Sequence, residues 1–423
     1  MTTNLNIFVR RKTALLMLFL VFLLNSLSTQ AQTFTTSFWE NGDECDWNFS
    51  SMAKNSAGEI YGIWRDGTYS SNNYQYKLLK WNVAGNTWNS AGSFDMTQLQ
   101  AQTVFDYPSD MVCLAIDASG GYHVVFGATE FTGGCCSQKR GFVYGTSSNG
   151  TTWTFITLQE LTHPGGFKNV RDPNLKLDAN NRPHVVYQYS DATDPREYAI
   201  EHRWFNGTSW QFESIVNQAG NANNEVNDPS FDIAPNGDLH VACTRETNGQ
   251  GLDGSLWHYV KTVGGSWVGT ERLHGSGTTA ATVHNSIKVL PNGFVSIINN
   301  GGSNITELTN ASGSWTNLPI GSGIDGGFNK ETYSVNANGD KFFAYSPSSN
   351  YSSYKYAIKK IGDANWTMNG NIYSGVDVDI PGFSSATMTD SRLIVVLFNY
   401  HPNGNCGAGS LRQLWTSYAP GVA

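Results

Sequence analysis

Charge is scarce in this chain: 14% of its 423 residues are Asp, Glu, Lys or Arg, where about 25% is usual for a soluble domain. No basic run appears outside the first 31 residues, so the electrostatic footprint of a nucleic-acid binder is missing. Beyond residue 31 there is no apolar run long enough to cross a bilayer and no sustained helical period. Cysteine is limited to six, with no CxxC pair and no His at zinc-finger spacing, which argues against a structural zinc site. No cofactor is expected, and no motif indicates bound calcium.

The first 31 residues are of another kind. Arg10, Arg11 and Lys12 precede the apolar run 14–24, and a polar stretch ends in Thr29-Gln30-Ala31. This is the layout of a secretory signal peptide cleaved after Ala31. Three of the 26 basic residues lie in it, leaving 23 against 34 acidic ones, a net of −11 for the mature chain. The protein is expected to be secreted, periplasmic or at the cell surface, as a monomer without a membrane span. In an exported chain the cysteines are disulfide candidates. Cys45 and Cys406 are the expected bridge. Cys113 is a partner for Cys135 or Cys136, and Cys243 takes the other or stays free.

What is abundant is glycine, 44 residues, and aromatics, 13%. Residues 171–212 read as four short strands: 174–177, the run 184–187, 198–204, and a fourth after the Asn206-Gly207 hairpin turn carrying Trp210. Two markers repeat this meander. A turn precedes an apolar strand seven times, at Gly58, Gly121, Asn181, Gly237, Gly293, Gly339 and Ser391, at gaps of 46 to 63 residues. A polar turn precedes Trp six times, at Trp88, Trp153, Trp210, Trp267, Trp315 and Trp366. Four strands per period near fifty mean a β-propeller. Seven turns mean seven blades, all-β, in one domain over 32–423. The seventh repeat stops short of its fourth strand, which 33–38 is expected to supply, closing the ring and removing exposed sheet edges.

Long segments gather on one face of such a ring, at 91–109, 128–140, 157–171, 189–198, 217–227 and 245–256, and long loops on a rigid scaffold are where function usually sits. His123, His184 and His240 recur at one place in the repeat, as do Asp117, Asp178 and Asp390 at the turn. A single active site in a ring is asymmetric, so these recurring residues are framework. The residues just before each first strand are the candidates: Asp46, Asp110, Arg171, Asp172, Asp228, His284, Asn285, Lys330, Glu331 and Tyr333, although Asp172-Pro173 and Asp228-Pro229 occupy matched places in two blades, as framework residues would. Arg171 with Lys330 suits a carboxylate or sulfate. Asp172, Asp228 and Glu331 suit paired action on a glycosidic bond. Tyr187, Arg245 and His401 add an aromatic and polar layer suited to sugar rings.

The segment Thr146-Ser-Ser-Asn-Gly-Thr-Thr-Trp153 resembles the Asp-box (BNR) turn of sialidase-type repeat propellers, Ser-x-Asp-x-Gly-x-Thr-Trp. It keeps Gly150, Thr152 and Trp153 and lacks the Asp. The resemblance spans most of 50–418 as architecture. It implies a carbohydrate-directed propeller, while the Arg-Ile-Pro segment of true sialidases is absent. Seven-bladed secreted polysaccharide lyases are similar in outline, and a Tyr or His base with an Arg facing the uronate would correspond to Tyr187, His163 or His284, and Arg171. The primary expectation is a secreted propeller binding glycan on its top face. The alternatives are a polysaccharide lyase or glycoside hydrolase at the channel mouth, and a protein-interaction scaffold or adhesin.

Overall fold

The computed structural model describes residues 34–44, 50–66, 74–130, 139–162, 169–191, 197–217, 226–245, 254–274, 284–301, 304–322, 330–347, 353–374, 384–400 and 411–419. They form an all-β β-propeller. Six four-stranded antiparallel sheets are each made of four consecutive strands, within residues 50–95, 107–162, 169–217, 226–273, 284–322 and 334–374; these are sheets 1 to 6. A further four-stranded sheet, sheet 7, joins Ser385–Met388, Ile394–Tyr400 and Leu411–Ala419 to the early strand Thr35–Glu44. That early strand pairs antiparallel with the last one, Thr35 opposite Tyr418 and Phe38 opposite Trp415.

The repeat has a concrete physical unit. In every sheet the first and second strands are joined by the same five-residue turn. Its first N–H bonds the fifth carbonyl and its fourth N–H bonds the first carbonyl, as in Asp117 to Gly121 and Asn336 to Asp340. The fourth residue takes a positive φ each time: Gly58, Gly120, Asn181, Gly237, Gly293, Gly339 and Arg392. The positive-φ position therefore falls one residue before Gly121 and one after Ser391, the positions read from the sequence. Asn55, Asp117, Asp178 and Asn336 open their turns by accepting backbone N–H groups with the side chain, which is why Asx residues recur there.

Alternating apolar residues of each sheet are buried against the next sheet. Phe94 of sheet 1 packs on Trp153 of sheet 2 at 4.8 Å between rings, and Tyr144 of sheet 2 on Trp210 of sheet 3 at 5.0 Å. Trp88 shares a cluster with Val395 and Leu397, joining sheet 1 to sheet 7. The recurring Trp is thus inter-sheet filling. Around the axis, side chains of the innermost strands also bridge each neighbouring pair. Leu114 N donates to Ser51 Oγ, Cys113 Sγ to the Pro173 carbonyl, Asn174 to the Pro229 carbonyl, and Ser230 Oγ to Asn285. Ser286 Oγ donates to the Lys330 carbonyl, Met388 N to Ser334 Oγ, and Ser385 meets Ser50 at 3.0 Å.

Three expectations need correction or lie beyond view. Cys113 is not disulfide-bonded; it and Cys243 are free and buried, because each sits inside a sheet interface where its thiol serves as packing. Cys45, Cys135, Cys136 and Cys406 lie outside the described residues, as do the signal segment, Asp46, His163 and His401. The segment 91–109 is not all loop: its strand runs to Asp95 and a short helix, Met96–Gln100, follows, capped by Asp95.

Candidate functional site at one mouth of the channel

The innermost strands of sheets 3 and 4 carry matched bulges. In Asn169–Leu177 the pairing register breaks between Arg171 and Asn174, and in Val226–Ile233 between Asn227 and Ser230. Asp172 and Asp228 sit in these breaks with φ of 53° and 50°, a region that Asp tolerates better than most residues. Pro173 and Pro229 follow, and a residue with no N–H to donate is suited to a break in the ladder. A bulge re-aims its side chains, and here it leaves both carboxylates at the mouth.

The freed carbonyls are taken up from other sheets. Lys330, in the short 3-10 turn Lys330–Thr332 ahead of sheet 6, reaches across the channel and donates to the carbonyls of Asp172 (3.3 Å) and Pro229 (3.2 Å). Its Nζ also lies 3.8 Å from Asp172 Oδ1. Asn174 bonds the Asp172 carbonyl and Asn285 the Asp228 carbonyl, both at 2.9 Å. His284, at the start of sheet 5, places Nδ1 3.4 Å from Asp228 Oδ2. The Asp228, His284 and Asp172 side chains keep 32%, 50% and 24% of their surface open.

Two titrations follow from this crowding. Burial pushes the Asp172 carboxyl up, against the pull of Lys330, and nearby Asp228 adds to the rise. Desolvation works to lower the His284 imidazole, but the bond to Asp228 and the charges of Asp228 and Asp172 outweigh it, so the net shift is upward. The mouth therefore pairs a carboxyl inclined to hold its proton with an imidazole that takes one up more readily beside Asp228.

Of the six catalytic candidates, the structure brings four together: Asp172, Asp228, His284 and Lys330. Arg171 is adjacent in sequence, exposed, and acts on Asp172 through its charge. Glu331 turns into the channel below, beside Cys113, Lys176 and Lys288. The remaining ligand candidates are elsewhere. Tyr187 is fully buried between sheets 2 and 3, donating to Glu201 at 2.6 Å and accepting from Arg203; its position inside the sheet points it into the interface. Tyr333 is 1% exposed and donates to Ser296. Arg245 stacks over Trp257 at 4.7 Å. Of the recurring histidines, His184 pairs with His202 at 3.0 Å and His240 with His258 at 3.1 Å, while His123 meets the Tyr144 hydroxyl and Asp117. Among the described residues no group of three or more His, Cys, Asp and Glu is placed to hold a metal ion.

Asn285 was among the residues expected at the mouth; Asn174 and the channel residues Lys176, Asp232 and Lys288 were missed by the sequence reading. Aligning the seven innermost strands on their turns would have exposed the last three, because they occupy the same column.

No protein-family model matches the chain, and neither does any curated protein. Solved structures do. An ulvan lyase of polysaccharide lyase family 25, bound to a glucuronate–sulfated rhamnose oligosaccharide, superposes with a TM-score of 0.56 at 9% identity, covering 92% of this chain and 96% of that one. The polysaccharide lyase Uly1 gives 0.52 at 10% identity, with 93% of each chain covered. The α-L-arabinofuranosidase Arb93A from Fusarium graminearum, with an iminosugar inhibitor, gives 0.52 at 12%, covering 90% and 98%. These are likenesses of fold. Among the described residues no helix is long and apolar enough to cross a membrane.

Proposed function

We propose that this chain is an exported, seven-bladed propeller, its ring closed by the strand Thr35–Glu44, that holds a polysaccharide at the channel mouth. The observation that carries the reading is the convergence of Asp172, Asp228 and His284 from three neighbouring sheets, and of Lys330 from the turn ahead of sheet 6, on one mouth. A ring of similar repeats has no packing need for one asymmetric polar cluster. Carboxylates and an imidazole open to solvent are groups that hydrogen-bond sugar hydroxyls. The carbohydrate class is also the one named for the lyase and arabinofuranosidase neighbours.

A second reading is cleavage at the same place. It is favoured by the raised Asp172 carboxyl beside the Asp228–His284 pair, since a proton donor next to a proton acceptor is what glycosidic bond hydrolysis or β-elimination requires. One experiment covers both. The purified chain is offered neutral, uronate-containing and sulfated polysaccharides, following retention, reducing ends and unsaturated-uronate absorbance. Retention that is lost in Asp172→Asn and His284→Gln supports the proposal. Product formation moves it to the second reading. No retention and no product on any polymer overturns both.

A further inference from the structure

The channel below the mouth is lined by one column of the repeat. Two positions before each five-residue turn stand Ala53, Ala115, Lys176, Asp232, Lys288, Ser334 and Thr387, one from each innermost strand, and all seven line a cavity of about 350 Å³. The column is lopsided. Three neighbouring strands supply Lys, Asp and Lys, while the other four supply Ala, Ala, Ser and Thr. The small residues leave the volume, and the charged arc faces it.

The charges in the arc do not pair off evenly. Asp232 Oδ1 lies 3.8 Å from Lys176 Nζ, and its Oδ2 accepts the Val289 N–H at 2.7 Å. Lys54, on the facing side, donates to the Met388 carbonyl at 3.1 Å and lies 3.8 Å from Asp390. Glu331 closes the upper end. Among the described residues Lys288 makes no ion pair; it lines the same cavity wall as Lys176, whose charge acts on its amine. Two amines side by side on a desolvated wall repel while both are charged. An anion between them would relieve this with charge-assisted hydrogen bonds. Consistent with that strain, burial and then the Lys176 charge push the Lys288 amine down to about 8.

We propose that this lower cavity is a binding site for a small free oxyanion, phosphate or sulfate, held between Lys176 and Lys288 with Lys54 at its far side. The volume exceeds the share of a single water, about 30 Å³, roughly tenfold, so the anion enters with part of its hydration. Asp232 and Glu331, whose charges act on both lysines, limit affinity and set the site to accept anions only where both lysines are protonated. The site is separate from the mouth and does not depend on a glycan being bound there.

The test is thermal unfolding of the purified chain in millimolar phosphate or sulfate, against chloride of equal ionic strength, with calorimetric titration of phosphate alongside. The wild-type midpoint is expected to rise by about 2 °C or more at saturating phosphate, and less at pH 9.5, where Lys288 is neutral. Lys288→Met is expected to lose that increment and the titration heat. Asp232→Asn is expected to bind phosphate several-fold more tightly, which keeps the test open should the methionine variant fold poorly. Phosphate and sulfate stabilise many proteins by exclusion from their surfaces. A rise of equal size in Lys288→Met, or no phosphate-specific rise and heat in the wild type, overturns the proposal.

Discussion

His284 Nδ1 and Asp228 Oδ2 meet at 3.4 Å across the boundary between two sheets, and the carbonyl of the same Asp228 is held by Asn285, the residue after the histidine. Sheet 5 thus grips the bulge of sheet 4 twice, once by charge and once through the backbone. The double hold separates what the carboxylate does from what the bulge does, because Asn285 secures the backbone in either case.

Asp228→Asn is therefore expected to fold normally, since Asn also accepts the left-handed φ, and to lower the His284 pKa from its raised value. Histidine chemical shifts followed from pH 5 to 9 report this directly. The raised folded pKa means that the pair stabilises fully below the unfolded value, about 6.5, and loses its contribution as pH rises through the folded one. An unmoved His284 titration would refute the pairing.

The buried histidines carry the opposite sign. Burial, then neighbouring His202, pushes His184 down to about 4, and His202, His240 and His258 are also lowered, burial leading in each. The unfolded chain then binds protons that the native one refuses. Stability is full above about pH 6.5 and falls as pH drops from there to about 4, with His184 alone contributing about 3 kcal/mol. Unfolding midpoints measured at pH 8, 6.5, 5.5 and 4.5 should fall more steeply below pH 6.5 than across the first interval.

Glu307 is fully buried, bonded to Lys341 and Ser296, with Trp366 Nε1 at 2.9 Å and Lys359 Nζ at 3.6 Å. Glu307→Gln leaves two ammonium groups without their carboxylate and is expected to cost about 3–5 kcal/mol in denaturant unfolding. Adding Lys341→Met to it should cost less than the two single changes together.

Two glycines should differ sharply. A Cβ on Gly92, at φ 139°, would stand 2.1 Å from the Gly150 carbonyl oxygen of the next sheet, whereas a Cβ on Gly58, at φ 78°, meets nothing within 4 Å. Gly92→Ala is expected to cost more than about 3 kcal/mol and Gly58→Ala about 1. Equal losses would mean that the close approach of sheets 1 and 2 there carries no weight.

The legible part of this protein is what repeats. Seven turns, six of them with Gly or Asn at the fourth place, and a Trp recurring six times, mark the strand order and the inter-sheet faces, because turn geometry and apolar alternation act over a few residues. The candidates at the mouth were named from their place at the starts of first strands, where His284 and Lys330 break the repeat and Asp172 and Asp228 match each other in two neighbouring sheets. Tyr187 and Tyr333 were misplaced because an aromatic beside a loop and an aromatic inside a sheet interface look alike in sequence.

The sequence by itself determined the meander, its number of turns and, to within one residue, where the backbone takes positive φ in them, since these are local demands of the chain. Only the tertiary structure decided which residues meet around the axis. Lys330 lies 158 residues from Asp172 and 101 from Pro229, and Lys176, Asp232 and Lys288 are one per strand. Their encounters depend on how far each sheet turns relative to the last, and that rotation is set by the packing of whole interfaces rather than by any one segment.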